Sequence, residues 1–219
     1  MYSATTLDIV GFRDQAVPHT FFRQDDETRH LAILFPGLGY TTHMPLLFYP
    51  ARLLLAQGAD VLRVEYAYKQ QAGFLTQPAG ERNRWFIGDV SAACDAGLAQ
   101  RPYDQITLVG KSMGTLAMGH LLTADERLRG SRCVWLTPLL QHDQWRAQVK
   151  QVEHRALFCT GTADPHYDAA CLDEVQQATQ GSSIVVDRAN HSLEIEGDVL
   201  RSIQVLERVM EGMQEFLGK

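Results

Sequence analysis

Five residues near the middle of the chain, Gly110-Lys111-Ser112-Met113-Gly114, form a Gly-x-Ser-x-Gly pattern. The apolar run Ile106-Thr107-Leu108-Val109 leads into it, and Thr115-Leu116-Ala117-Met118 reads as a helix leaving it. A strand, a sharp turn and a helix in that order lift a serine hydroxyl above a sheet edge, where it can act as a nucleophile. The turn strains the serine backbone. Glycine is needed on both sides because a side chain there would strike the neighbouring strand and helix. The new helix also points its free N–H groups and the positive end of its dipole at the serine, which favours negative charge at that point. The alternative without chemistry is a tight turn whose serine only caps a helix.

A serine hydroxyl is a weak nucleophile at neutral pH and needs a base to take its proton. Among the eight histidines, His191 is the candidate: it lies in Asp187-Arg188-Ala189-Asn190-His191-Ser192, just after the last expected strand. His19, His30 and His154 sit in turns or before strands. An acid beside the imidazole would fix its tautomer and stabilise its cation. Asp164, in Gly161-Thr162-Ala163-Asp164-Pro165, is the candidate for that role, although Asp164-Pro165 also reads as a turn opening. Asp168 and Asp187 compete for it; Asp187 is too close in sequence to His191 to reach its ring easily from the opposite strand end.

These residues can meet only if the elements around them converge. Strands are expected over 31–35, 60–68, 131–139, 155–161 and 182–186, with the serine strand and its helix spanning 105–128. Helices are expected over 45–57, 82–100, 141–150, 168–179 and 198–216. The last carries Val199, Ile203, Leu206, Val209, Met210, Met213 and Phe216 at helical spacing. Two short antiparallel edge strands are expected at 6–12 and 20–25, with Pro18-His19 as the turn, and 69–80 reads as a loop. Alternating strands and helices from residue 31 onward predict an α/β fold with a mostly parallel central sheet and helices on both faces. Right-handed crossovers then bring Gly37-Leu38-Gly39, Ser112, Asp164 and His191 to one edge of that sheet.

On these residues the sequence resembles the α/β-hydrolase superfamily over essentially its whole length. The resemblance is carried by Gly110-Lys111-Ser112-Met113-Gly114, by Gly161-Thr162-Ala163-Asp164-Pro165 and by Asn190-His191-Ser192, in the order serine, acid, histidine that the family uses. It implies a small serine hydrolase of the carboxylesterase kind, working through an acyl-enzyme on Ser112, His191 and Asp164 and needing no cofactor or metal. It also implies an oxyanion hole made by the backbone N–H groups of Leu38 and Met113, each contributing about 3 kcal/mol to lowering the barrier. Many members have His-Gly-x-Gly where this chain has Pro36-Gly37-Leu38-Gly39. The hole is expected to survive that change because the third residue contributes its backbone. A phosphate-loop reading fails, since Gln105 stands where the first glycine before Gly110-Lys111-Ser112 would have to be.

Family members usually carry a lid after the strand at 131–139. Here only residues 140–154 precede the next strand, so a minimal cap and an open site are expected, roofed at most by 141–150 and 69–80. Candidate substrate-binding residues are Leu38, Tyr40, His43, Phe74, Leu139, His142 and Trp145, most of them apolar or aromatic as suits an acyl or aryl group. The same triad serves thioesterases and amidases, and a non-catalytic ligand-binding member of the fold is a further alternative.

The bulk properties fit this picture. A chain of 219 residues, 45% hydrophobic and 21% charged, is read as a single α/β domain over residues 1–219. A net charge of −6 without a Lys/Arg cluster excludes nucleic acid as the expected partner and leaves a small-molecule ester or thioester. The segment Met1-Tyr2-Ser3-Ala4-Thr5-Thr6-Leu7-Asp8 lacks the blocks of a signal peptide, and no apolar run is long enough to span a bilayer, so a cytoplasmic location is expected. Cys94, Cys133, Cys159 and Cys171 show no metal-binding spacing.

Overall fold

Strands with apolar side chains on both faces are stable only when helices cover them on two sides. In the computed structural model, which describes residues 1–71 and 73–218, these strands are β3 (His30–Phe35), β4 (Asp60–Val64), β5 (Gln105–Lys111), β6 (Arg132–Leu136), β7 (Arg155–Gly161) and β8 (Ser182–Val186). With β1 (Tyr2–Thr5) and β2 (His19–Gln24) they form an eight-stranded sheet in the order β1-β2-β4-β3-β5-β6-β7-β8. From β4 to β8 every pairing is parallel, while β1 and β2 pair antiparallel at one edge.

Successive residues of each central strand enter different cores. Ile33, Leu108, Cys133, Trp135 and Phe158 pack under α2 (Ala79–Leu98), α3 (Met113–Ala124), α4 (Asp143–Gln151) and α5 (Ala169–Thr179). Leu34, Val109, Val134, Leu136 and Cys159 pack under α1 (Pro45–Ala56) and α6 (Val199–Leu217). Helices therefore cover both faces. Among the described residues no helix is long and apolar enough to cross a membrane.

The first strand differs from expectation. The segment 6–12 is a loop, with an isolated bridge between Val10 and Ala16 and a 3₁₀ turn at Phe12–Asp14. Its apolar residue Ile9 is buried in the core, but Phe12 donates its N–H to the Asp89 carboxylate and Gly11 to Gln15 O, which bends the chain out of a ladder. The edge strand lies earlier, at Tyr2–Thr5. Three of its four side chains are exposed, so no apolar alternation marks it and pairing with β2 alone defines it.

Of the two expected roofs, α4 packs beside α3 and α5 in the helical layer. The 69–80 loop is shortened by the start of α2 at Ala79, and its Lys69 approaches the loop after β3, with Nζ 2.8 Å from where a Gly39 Cβ would stand.

Two glycines make opposite predictions. A Cβ at Gly114 would lie 2.1 Å from Phe35 O, whereas one at Gly80 would meet open space. Gly114→Ala is expected to lower unfolding stability by about 1–3 kcal/mol through overpacking. Gly80→Ala should raise it by about 0.4–1 kcal/mol through the unfolded chain. Urea unfolding of both variants checks the pair; an unchanged midpoint in Gly114→Ala would contradict the close approach.

Candidate active site

The turn between β5 and α3 sets the position of Ser112. Its backbone sits at φ 52° and ψ −115°, a region that non-glycine residues seldom occupy. The surroundings enforce it. A Cβ at Gly110 would lie 2.4 Å from Met118 Sδ and 2.6 Å from Gly114 O, and Gly114 itself presses on β3. Ser112 N–H donates to Leu136 O on β6 (3.0 Å), and Ser112 O accepts from Thr115 N–H (2.8 Å) and from the Thr115 hydroxyl (2.6 Å).

Above this turn the structure brings three distant side chains into one line. The Ser112 hydroxyl lies 2.8 Å from His191 Nε2, and His191 Nδ1 lies 2.7 Å from Asp164 Oδ2. With the proton on Nδ1, the ring donates to Asp164 and accepts from Ser112. Asp164 is buried, which opposes its charge. The hydrogen bonds from His191 and from the His166 N–H (2.8 Å to Oδ1) outweigh that and hold the carboxyl below the ordinary range. Its place at the end of β7 depends on Gly161, where a Cβ would lie 2.1 Å from Ala189 O in the histidine loop. Asp187 bonds instead to the Thr162 hydroxyl (3.1 Å), and Asp168 caps α5 by accepting from Cys171 N–H (2.9 Å).

The Gly-rich loop after β3 meets the serine from the other side. A Cβ at Gly37 would lie 3.4 Å from the Ser112 Cβ. The N–H groups of Leu38, in this loop, and of Met113, the first residue of α3, have no hydrogen-bond partner among the described residues. Free donors at a helix start and in an adjacent loop are what a developing oxyanion requires.

Sequence reasoning passed over Lys111. Its side chain is only 2% exposed, yet its ammonium donates to the His191 carbonyl (2.9 Å) and to the Thr137 hydroxyl (3.2 Å) and lies 4.6 Å from the Tyr40 ring centre. Burial pulls its pKa down to about 8, against the attraction of Asp164. The available signal was a lysine inside a strand run that is otherwise apolar. His166 was also missed: its ring lies 5.1 Å from that of His191, and only its position two residues after Asp164 marked it.

The expected substrate-binding residues separate. Leu38 and Tyr40 are half-buried beside the serine, with Tyr40 OH accepting from Leu46 N–H (2.9 Å), and Leu139 is half-buried after β6. His43 is exposed, 3.6 Å from Glu65. His142 is exposed and caps α4, its Nδ1 accepting from Trp145 N–H (3.2 Å). Two rings belong to the core instead of a pocket. Trp145 is fully buried against Trp135, and Phe74 stacks on Tyr68 at 4.1 Å. Phe74 lies on the segment between β4 and α2 and Trp145 on the first turn of α4, and the space under the helical layer takes both rings.

Comparison with known proteins bears on the fold. The family model described as alpha/beta hydrolase domain matches residues 28–218. No curated protein matches the chain. Among solved structures, an esterase from Pyrococcus furiosus is 17% identical, with a TM-score of 0.71 over 100% of this chain and 92% of that one. An α/β serine hydrolase without lid from Xanthomonas campestris is 18% identical, with a TM-score of 0.68 over 99% and 93%. Dienelactone hydrolase from Anabaena variabilis is 16% identical, with a TM-score of 0.70 over 99% and 96%.

The buried lysine makes a prediction with a definite sign. Its pKa is about 8 in the folded protein against an ordinary 10.5, so between these values the unfolded chain holds a proton that the folded one lacks. Stability from this group therefore rises with pH across that window, by about 2–3 kcal/mol between pH 7.5 and 10. Lys111→Met should lose that rise. Urea unfolding of both proteins at the two pH values measures it, and an identical pH dependence would contradict the burial of a charged Nζ.

Proposed function

The chain belongs to the alpha/beta hydrolase domain family, and we propose that it is a serine esterase that cleaves small carboxylic esters through an acyl-enzyme on Ser112. The observation that carries this reading is the continuous hydrogen-bonded line Ser112–His191–Asp164, with separations of 2.8 and 2.7 Å. A binding module needs no such line, and the esterases among its structural relatives favour an ester over an amide or thioester.

In this mechanism Ser112 Oγ attacks the acyl carbon as its proton passes to His191 Nε2. Asp164, ionised and buried, stabilises the imidazolium and keeps Nε2 aimed at the serine. The carbonyl oxygen becomes an oxyanion and accepts from the N–H groups of Leu38 and Met113. When the tetrahedral intermediate collapses, the ester C–O bond breaks and the leaving alcohol takes the proton back from His191. Water then repeats the sequence on the acyl-enzyme, with His191 as base, and frees the acid. Lys111, through the His191 carbonyl, positions the base and touches no reacting atom. The half-buried surface around Leu38, Tyr40 and Leu139 receives the substrate without a cap over it.

The test is hydrolysis of p-nitrophenyl acetate together with fluorophosphonate labelling. Ser112→Ala should lose labelling and at least about 10³-fold in kcat, and His191→Ala should lose kcat comparably. Asp164→Asn should fall by about 10³–10⁴-fold with the fold intact, because the histidine then takes the wrong tautomer. A folded wild-type protein that is not labelled, or undiminished hydrolysis by Ser112→Ala, would overturn the proposal.

A further inference from the structure

α6 is amphipathic, but apolar side chains at its start are left exposed. Val199 and Ile203, four residues apart and so on one face, are 73% and 57% exposed. Opposite them stand Pro45 and Leu46 at the start of α1, and Leu206 lies deeper along the same face of α6. Between the two helix starts runs a groove of about 430 Å³, a size typical of small-molecule sites. Soluble proteins seldom leave a row of apolar side chains beside a cleft without an occupant.

None of Ser112, His191, Leu38 and Met113 lines this groove, but one end of it is walled by residues that adjoin them. Its lining includes Tyr40, whose Cβ lies 3.3 Å from where a Gly37 Cβ would stand; that point is 3.4 Å from the Ser112 Cβ. Asn190 and Ser192, the neighbours of His191, line it too. The wall they belong to is rigid. Asn190 Oδ1 accepts from Ser192 N–H (2.8 Å) and Glu194 N–H (3.2 Å), and Ser202 on α6 accepts from Ile195 N–H (2.9 Å). The loop that carries the histidine thus forms the side of the groove without rearrangement.

The chemistry of the lining selects the occupant. Glu194, Glu196 and Asp198 are its only charged groups among the described residues, and no lysine or arginine lines it. Carboxylates repel an anionic ligand, so a free fatty acid or a phosphate-bearing thioester is disfavoured. From Val199 to Leu206 the helix rises about 10 Å, the extended length of a chain of about eight carbons. We propose that this groove takes the linear hydrocarbon chain of an uncharged ester, so that the substrates are medium-chain esters. This rests on the assignment of Ser112 as the nucleophile.

Two substrate series test it: p-nitrophenyl esters with acyl chains of increasing length, and acetates of alcohols of increasing length. In one of them kcat/KM should rise about threefold to fourfold per methylene, as burial of a CH₂ provides, and level off near eight carbons. A rise in the first series puts the acyl chain in the groove, and a rise in the second puts the alcohol there. Ile203→Glu should lower the eight-carbon to two-carbon ratio of kcat/KM at least tenfold, and Ile203→Ser less. Fluorophosphonate labelling of the same proteins separates the two assignments. Flat series with Ser112 still labelled would overturn the groove alone. Flat series with a concentration-dependent dimer would give this face to self-association and overturn it equally. Loss of labelling in the wild type would overturn the esterase assignment and the groove with it.

Discussion

The site depends on a steric constraint: the first turn of α3 is pressed against the backbone of β3. A Cβ on Gly114 would stand 2.1 Å from Phe35 O, and one on Gly110 would stand 2.6 Å from Gly114 O. With both neighbours held that closely, the chain can pass from strand to helix only through a sharp turn, and Ser112 takes φ 52°. The same contact fixes the distance between the serine turn and the loop that follows β3. Leu38, in that loop, and Met113, at the start of α3, carry N–H groups that have no partner among the described residues. Hydrogen bonds from Ser112 to Leu136 and from Thr115 to Ser112 hold the strained residue in place. Strain stored in this way persists only where the surrounding structure over-determines it.

Electrostatics adds a second layer. Asp164 and Lys111 carry opposite charges, are both nearly inaccessible, and both bond to His191: the carboxylate to the ring, the ammonium to the main-chain carbonyl. Burying a lysine destabilises the fold, as its lowered pKa records. What it provides is orientation, since a loop tied at its carbonyl and at its ring has little freedom to swing the imidazole away. A fold that accepts such a cost at one position fits the common trade between stability and function.

Much of this was legible in the sequence because the requirements are local. The two glycines flanking Ser112 are marked by their spacing around it, although only Gly110 answers to contacts within a few residues and Gly114 answers to β3, and the parallel order of strands follows from alternating strand and helix patterns. Asp164 and His191 could be singled out because each follows a strand closely. Residues whose role depends on distant packing were not legible. β1 has no apolar alternation and exists by pairing with β2. Phe74 and Trp145 carry the apolar character of a pocket, yet the helical layer buries them. Lys111 occupies the variable position of its motif, and only the folded chain reveals His191 O at 2.9 Å from its ammonium. On α6 the periodicity of Val199, Ile203 and Leu206 continues that of the buried face, but burial begins only at Val205. Spacing reports a face of a helix; it does not report where the neighbouring helix ends.

The central claim is that Ser112, activated by His191, becomes covalently acylated during turnover. Rapid mixing of the protein with p-nitrophenyl acetate, followed by acid quench and peptide mass mapping, tests it most directly. A burst of p-nitrophenol approaching one equivalent per chain, with acetyl carried on Ser112, is the predicted result. Turnover without any covalent adduct, or acetyl found on another residue while Ser112 stays free, would contradict it.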